Sequence, residues 1–199
     1  MPHHSASRAR PWWVLRAAAK QARDVTVFGF VGGPGYIKGS EHIVRAFNQI
    51  DRTDYVLQVV DAAGNVGASW VDSSYWQVPG AVKSIPPYRQ DAMDSFFAGI
   101  DVLLFPSQWK ESFGLTVREA LARDVWVIST DSGGVAEDLH VGINASVTPF
   151  GSGVSELQAC IEGALDKKQW DNYSNPLAHT IRGYDEQARE LSDYLRGAL

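Results

Sequence analysis

The chain has 199 residues, 45% of them hydrophobic and 21% charged, and its formal net charge at pH 7 is −5. This length and composition suit one domain with its own core, and the acidic balance argues against a nucleic-acid-binding domain, which is usually basic. The single cysteine, Cys160, excludes an internal disulfide framework and a cysteine-based zinc cluster, and its helical, apolar neighbourhood predicts a buried structural thiol.

The N-terminal segment differs in charge from the rest of the chain. Residues 1–23 contain five basic side chains and no acidic one. Residues 8–23 are compatible with a weak amphipathic element in peripheral membrane contact, but we favour an interdomain linker or an artificial chain end. Arg16 interrupts a very short apolar stretch, which argues against a signal peptide. We therefore expect a linker at 1–24 and one domain at 25–199.

From residue 25 onward, short apolar runs alternate with helical patterns. The apolar, β-branched and aromatic runs predict strands at 25–31, 55–61, 82–85, 101–107, 125–130 and 143–149. Apolar residues at helical spacing predict helices at 40–50, 91–100, 113–123, 154–165 and 184–199, with one or two helical turns at 133–139. This alternation indicates right-handed βαβ units and an α/β fold, a Rossmann-like doubly wound parallel sheet. The aperiodic segment 62–80 fits either a hairpin or an insertion.

The glycine-rich loop after the first strand reads VGGPGYIKGSEH. Ligands of doubly wound sheets bind beyond the carboxyl ends of the strands. Here Gly32, Gly33 and Gly35 let the backbone approach a ligand, and the following helix N-terminus with Lys38 suits phosphate. Neither familiar fingerprint is present, because Gly35 lacks the third glycine of G-x-G-x-x-G and Lys38 precedes Gly39 instead of following a glycine. The loop alone fits either a phosphate site or a tight turn with a solvated lysine.

The segment SQWKESFGLTVREAL, residues 107–121, places Glu111 and Glu119 eight residues apart around a helix start. Pro106 ends the preceding strand, and the unpaired N–H groups near residues 113–116 suit an anion. Ionised carboxylates only accept hydrogen bonds, which suits the hydroxyls of a sugar or ribose. The alternative is structural: Glu111 stabilises the helix dipole and Glu119 is a solvated helix position.

The stretch DVLLFPSQWKESFGLTVREALARDVWVISTDSGGVAEDL closely resembles the signature of family 4 glycosyltransferases, retaining enzymes with a GT-B fold. Those enzymes contain a Glu, seven intervening residues and a second Glu, with Phe-Gly in the first half, and ESFGLTVRE matches this pattern fully. The stretch FGFVGG…KG resembles the phosphate loop of the family, and further similar positions are Asp101, Pro106, Ser107, Gly133, Gly134 and Glu137. The resemblance runs from about Phe28 to the last helices. It implies one half of a GT-B fold, the C-terminal, donor-binding domain.

The resemblance implies a role for each matched residue. Glu111 and Lys38 would be the catalytic residues, with Glu111 bound to hydroxyls of the donor sugar and Lys38 beside the diphosphate. Glu119 would bind the two ribose hydroxyls. The remaining donor-binding positions would lie around the sugar and the diphosphate: Gly32, Gly33, Phe113, Gly114, Leu115 and Thr116.

Two positions depend on other arguments. Tyr88, in the loop PPYRQ, is placed against the nucleobase only by its position at a strand end, with Arg89 as the alternative stacking partner. Family members usually have an Arg just after the first glycine of the phosphate loop, where this chain has Gly33. Arg118, Arg89, or the backbone together with Lys38 would then neutralise the diphosphate.

The donor implied by the resemblance is a UDP-, GDP- or ADP-sugar, without a metal or other cofactor. The acceptor, a glycan or a lipid-linked sugar, would be held by an N-terminal domain, since the 27 residues before the resemblance are too few to form one. Alone, the chain should bind the nucleotide sugar and transfer it poorly or not at all. The expected location is cytoplasmic, with the inner face of the membrane as an option.

Three alternatives stay open. One is a non-catalytic sugar-nucleotide-binding module. Another is a GT-B-type sugar-nucleotide epimerase, but the stretch FGLTVRE favours glycosyl transfer over epimerisation. A flavodoxin-like signalling domain would need acids after the first strand, where this chain has glycines. His42 is predicted at the surface rather than at the donor, and Trp109 fits either a wall of the sugar pocket or packing over its own loop.

Overall fold

The computed structural model describes residues 24–71, 74–89, 92–167, 170–181 and 183–197. The membrane-contact hypothesis for residues 8–23 and the last two residues of the final predicted helix lie outside this part. Among the residues described, no helix has the length and apolar character needed to cross a membrane.

Within these ranges, six parallel strands form one sheet. They are β1 (Thr26–Val31), β2 (Tyr55–Val60), β3 (Ala81–Ile85), β4 (Val102–Phe105), β5 (Trp126–Thr130) and β6 (Ala145–Thr148). The order is β3-β2-β1-β4-β5-β6, so the winding direction reverses between β1 and β4 and a crevice opens at their carboxyl ends. The predicted Rossmann-like doubly wound sheet is confirmed.

In the described part of the chain, five helices accompany this sheet, and the first four pack on its two faces. They are α1 (Ser40–Phe47), α2 (Met93–Ala98), α3 (Leu115–Leu121), α4 (Val154–Lys167) and α5 (Tyr184–Gly197). Short 3-10 helices lie at Ala62–Val66, Gly134–Asp138, Trp170–Asn172 and Ala178–Thr180. Three helices, α1, α2 and α3, are shorter than predicted, because apolar spacing continues for a few residues beyond the true helix ends.

Each face of the sheet has its own apolar layer. On the face covered by α1 and α4, the rings of Phe28 and Phe47 meet edge to face at 5.3 Å, and Phe47 stacks on Tyr55 at 4.5 Å. Such aromatic pairs contribute about 0.5–1.5 kcal/mol each beyond area burial. On the other face, Gly29 leaves room for the core, because a Cβ there would lie 2.6 Å from Cδ1 of Ile100. Close packing on both faces holds β1 and β4 in a fixed relation, and so fixes the crevice between them.

Two predictions are corrected, and one open alternative is decided. The helix predicted over 113–123 begins at Leu115, because Gly114 before it has a left-handed conformation with φ of 67°; Phe113 and Gly114 therefore belong to the preceding loop. In its described part the segment 62–80 is not a hairpin but a 3-10 helix followed by an irregular stretch that packs on the core. Cys160 is only partly buried, and this burial raises the pKa of its thiol.

Candidate functional site

The loops that follow β1 and β4 are joined backbone to backbone at the crevice. The amide of Gln108 donates to the carbonyl of Ile37 at 2.8 Å. Gly39 has φ of 76°, and a Cβ there would lie 2.0 Å from the carbonyl oxygen of Pro106. Only glycine fits at this contact, and it brings Lys38 against the loop that contains Glu111.

The two side chains predicted to be catalytic are in direct contact. Lys38 Nζ donates to Oε1 of Glu111 at 2.7 Å, and Ser107 Oγ donates to the same oxygen at 2.8 Å. The Glu111 side chain is 16% exposed and the Lys38 side chain 43%. Ser107 is buried, and its carbonyl accepts from Thr130 Oγ1 at 2.7 Å. One oxygen of Glu111 is therefore held by two donors from two different loops.

The backbone of Glu111 is held separately by the loop after β5. Its amide donates to the carbonyl of Ser132 at 3.1 Å, and its carbonyl accepts from the amide of Gly134 at 2.9 Å. A Cβ at Gly133 would lie 2.5 Å from the Glu111 carbonyl oxygen, and one at Gly134 would lie 2.2 Å from that of Ser112. The Gly-Gly pair is thus needed for the loops after β4 and β5 to meet.

Several exposed apolar side chains lie in, or directly after, the two loops that hold the carboxylate and the lysine. Trp109 is 63% exposed, which contradicts the alternative that it packs over its own loop. Phe113 and Leu115, which follow Glu111, and Tyr36 and Ile37, which precede Lys38, are also exposed. Aromatic and aliphatic surface beside a few fixed polar groups is typical of a small-molecule site.

Arg118, one candidate partner for the diphosphate, is already engaged. Its guanidinium lies 3.6 Å from the centroid of the Phe113 ring, donates to the Phe113 carbonyl and pairs with Asp138. Glu137 adds a contact at 3.5 Å. The geometry therefore gives Arg118 a structural role, in which it connects the start of α3 to the helical turn after β5.

Tyr88, in the loop after β3, is close enough to Glu119, in α3, for the charge of Glu119 to affect its pKa. The Tyr88 ring stacks on Phe96 with centroids 5.3 Å apart and planes inclined by 23°. Burial raises the pKa of Tyr88 to about 12, with a further rise from the charge of Glu119 and an opposing effect from Arg123. The loop after β3 thus lies beside the helix that contains the second glutamate.

The space beside the glycine loop differs from one glycine to the next. A Cβ at Gly32 would lie 2.7 Å from the ring of Phe30, whereas one at Gly33 would have no neighbour within 4 Å. Gly35 has φ of 98°, and its amide donates to Oγ of Ser40 at 2.8 Å. The loop is therefore tethered at Gly35 but has room for a larger residue at position 33.

Sequence reasoning missed Ser40 and named Ser107 only as a position similar to the family, without a role, because a serine has no spacing pattern of its own. It placed His42 at the surface, but the ring is half-buried beside Tyr36 at 5.3 Å, and its Nδ1 is buried with no hydrogen-bond partner. Burial, aided by Arg45, lowers the pKa of His42. Across the residues described, no three or more His, Cys, Asp and Glu side chains are grouped as metal ligands would be.

Comparisons with known proteins show which family the chain belongs to. Residues 13–175 match the family described as Glycosyl transferases group 1. The chain is 25% identical over 150 residues to the lipopolysaccharide 1,2-N-acetylglucosaminetransferase of Salmonella typhimurium, an alignment that covers 65% of this chain and 36% of that protein.

Two solved structures show the same fold at low identity. Anabaena HepE in complex with UDP-glucose has a TM-score of 0.66 and 19% identity over 87% of this chain and 49% of that one. The C-terminal domain of the group 1 glycosyl transferase LpcC from Francisella tularensis has a TM-score of 0.59 and 15% identity over 88% of this chain and 91% of that one. The chain therefore spans about half, or less, of the longer proteins that it matches. It belongs to the group 1 family of glycosyl transferases, and its sheet is the Rossmann-like half of a GT-B fold.

Proposed function

We propose that this chain is the donor domain of a retaining glycosyltransferase, which binds a UDP-sugar and donates its glycosyl group to an acceptor held by an N-terminal domain. The contact between Lys38 and Glu111 in the crevice carries the proposal, because it puts a cation for phosphate beside an acceptor for hydroxyls. HepE was solved with UDP-glucose, and the Salmonella relative is named an N-acetylglucosaminetransferase. The first supports UDP over GDP and ADP as the nucleotide, and the second supports a hexose-type glycosyl group.

The diphosphate of the donor would lie between the glycine loop and the start of α3. Lys38 would supply positive charge, with N–H groups from Leu115 and Thr116, which lie in the helical turn whose amides have no intrahelical acceptor. Glu111 would keep Oε1 toward Lys38 and Ser107 and offer Oε2 to hydroxyls of the sugar. In this arrangement one oxygen of the carboxylate holds the side chain in place and the other binds the sugar.

The other proposed donor contacts follow the path of the nucleotide. Glu119 would accept hydrogen bonds from the ribose hydroxyls, and the Tyr88 ring would stack on the uracil with the face that points away from Phe96. The remaining contacts would come from the two loops that line the crevice: Gly32, Gly33, Phe113 and Gly114.

The proposed reaction breaks the bond between the anomeric carbon and the phosphate oxygen, and forms a bond from that carbon to the acceptor oxygen. Negative charge grows on the departing diphosphate while positive charge grows on the sugar ring. Lys38 stabilises the negative charge where it develops on the diphosphate, which lowers the barrier to bond cleavage. Glu111 orients the sugar by accepting hydrogen bonds from its hydroxyls. With attack on the same face as departure, the proton of the acceptor passes to the phosphate oxygen and configuration is retained.

Titration calorimetry tests the proposal. In buffer with EDTA, the full chain is titrated with UDP-glucose, UDP-N-acetylglucosamine, GDP-mannose and ADP-glucose. We expect saturable binding of a UDP-sugar, weakened at least about tenfold by Glu119→Ala because a ribose loses a charged acceptor. Glu156→Ala, at the exposed start of α4, is the control that should bind like wild type. Failure of every nucleotide sugar to bind would contradict the proposal.

Transfer would also need a domain that binds the acceptor. We expect the chain alone to release no UDP from a bound donor in the presence of candidate acceptors, whereas a protein that also contains the N-terminal domain releases UDP. The proposal includes a cytoplasmic location, and contact of residues 8–23 with a membrane stays a prediction of the sequence.

A further inference from the structure

The irregular segment between β2 and β3 builds an aromatic layer under the glycine loop. Trp70 and Trp76 pack on Phe30 with ring centroids 6.1 and 5.8 Å away. Tyr75 lies edge-on to both tryptophans, at 6.0 and 5.3 Å. Asp61, at the end of β2, accepts hydrogen bonds from the Ser69 hydroxyl and from the Trp70 amide. The segment is therefore anchored at its start and packed on the strand that leads into the loop.

The hydroxyl of Tyr75 reaches from this layer to the loop itself. It lies 2.6 Å from Oγ of Ser40, the first residue of α1, and the amide of Gly35 is 3.3 Å from it. Ser40, fully buried, also accepts from the Gly35 amide at 2.8 Å and lies 3.1 Å from the Gly35 carbonyl oxygen. One consistent arrangement of protons has Tyr75 donate to Ser40, Ser40 donate to the Gly35 carbonyl, and the Gly35 amide donate to Ser40.

These hydrogen bonds with Tyr75 and Ser40 hold the peptide of Gly35 in place. Gly35 has φ of 98° with no neighbour within 4 Å of its Cβ position, so there is open space on that side of the peptide. It lies three residues before Lys38, in the loop proposed to bind the diphosphate. An untethered glycine loop loses conformational entropy when a ligand orders it, and a tether reduces that cost beforehand.

We propose that Tyr75 is a positioning residue, which acts through Ser40 and Gly35 to preorganise the glycine loop for the diphosphate of the donor. This inference rests on the proposed function and extends it to the segment between β2 and β3, which lies outside the two loops that carry the proposed donor contacts. Tyr75 does not touch the donor. Its effect is on the phosphate part of the ligand and not on the nucleoside.

The chain offers a closely matched control. Tyr173 also lies edge-on to two tryptophans, Trp126 at 5.5 Å and Trp170 at 5.9 Å, and its hydroxyl donates to a backbone oxygen, that of Ile143, at 3.3 Å. It belongs to the opposite end of the sheet. Tyr75→Phe and Tyr173→Phe each remove one hydroxyl from the same kind of aromatic setting, but only the first removes the tether.

The experiment measures dissociation constants of the full chain for UDP and for uridine, which has no phosphate. Tyr75→Phe should weaken UDP about fivefold, the effect of one lost hydrogen bond, and leave uridine within about twofold of wild type. Tyr173→Phe should change neither. Because Tyr75 acts through Ser40, the double variant with Ser40→Ala should bind UDP no more weakly than Ser40→Ala alone.

A second measurement does not need a ligand. Amide hydrogen exchange at Gly35 should be faster in Tyr75→Phe than in wild type at equal global stability. Unchanged UDP binding by Tyr75→Phe, or an equal loss for UDP and uridine, would overturn the inference while the proposed function stands. If wild type binds no UDP while its fold is intact, both are overturned together.

Discussion

The ammonium group of Lys38 lies 2.7 Å from Oε1 of Glu111, although 73 residues separate the two along the chain. Each group neutralises the other in this arrangement. A diphosphate would compete with Glu111 for Lys38, whereas a sugar hydroxyl would bind the oxygen that Lys38 leaves free. The pair is partly exposed and so is screened by solvent, which makes an exchange of partners inexpensive in free energy.

Glu111→Gln should separate recognition of the nucleotide from recognition of the sugar. The amide no longer holds Lys38 by charge, so UDP should bind as tightly as to wild type or a few-fold more tightly. UDP-glucose should bind about tenfold more weakly, because a charged acceptor of its hydroxyls is lost. Calorimetry with both ligands checks this. Glu137→Gln is the control, since that side chain is 75% exposed and pairs with Arg118 only at 3.5 Å; a parallel loss of UDP and UDP-glucose in Glu111→Gln would contradict the expectation.

Ser107→Ala should act on the same carboxylate through its orientation. The hydroxyl donates to Oε1 of Glu111 at 2.8 Å, and without it Lys38 alone orients the side chain. We expect UDP-glucose affinity to fall about fivefold with UDP affinity unchanged. Ser129→Ala is a matched control, because Ser129 is equally buried and its hydroxyl donates to the carbonyl oxygens of Phe105 and Thr130 and not to a carboxylate. Equal affinities of the two variants for UDP-glucose would rule out this role for Ser107.

Gly33→Arg should strengthen diphosphate binding without loss of stability. A Cβ at Gly33 meets nothing within 4 Å, and the backbone there is not left-handed. An added guanidinium beside Lys38 should raise UDP affinity about three- to fivefold at low salt, with the gain shrinking as salt increases. The comparison is with Gly33→Gln, which adds length without charge. A similar gain from glutamine would show that charge is not the cause.

Gly39→Ala should be severely destabilising. Its loss of unfolding free energy has two parts, backbone strain at a positive φ and a clash of the new Cβ. The residue has φ of 76°, and a Cβ would lie 2.0 Å from the Pro106 carbonyl oxygen. Gly142 has φ of 80° with open space around its Cβ position, so Gly142→Ala measures the backbone strain alone. Chemical denaturation should give a loss of about 1 kcal/mol for Gly142→Ala and about 3 kcal/mol or more for Gly39→Ala. Equal losses would mean that the two loops do not meet as described.

Tyr88 should make stability depend on pH in the alkaline range. Burial raises its pKa to about 12 in the folded protein, whereas an unfolded tyrosine titrates near about 10. The folded state therefore holds the proton longer, so this stabilisation is complete below about pH 10 and is lost as pH rises toward about 12. Relative to Tyr88→Phe, wild type should lose stability across this window.

The tyrosine absorbance titration of wild type minus Tyr88→Phe reports the pKa of Tyr88 directly. Glu119→Gln should lower that pKa, because the negative charge of Glu119 contributes to the rise. Glu156→Gln, on the remote helix α4, should leave it unchanged. A pKa of Tyr88 that does not respond to Glu119→Gln would place the two side chains farther apart than the structure does.

Much of the fold could be predicted from the sequence because its evidence is local. The runs that became β1, β4 and β5 are buried on both faces, so they read as continuous apolar stretches. The end of the strand at Pro106 and the glycine at position 114 also have local causes. The start of α3 was misplaced by two residues, since apolar spacing gives no sign that Gly114 adopts a left-handed conformation against Val135.

The sequence by itself determined the class of the fold, the loops that line the crevice and the two glutamates, because periodicity, turn chemistry and an eight-residue spacing are properties of short segments. Only the tertiary structure decided which groups meet. The order of the strands brings β1 beside β4, so Lys38 reaches Glu111 and Ser107, and the aperiodic segment folds back so that Tyr75 reaches Ser40. Hydrogen bonds form over a range of a few tenths of an ångström, and such distances between residues far apart in the chain are set by packing of the whole core.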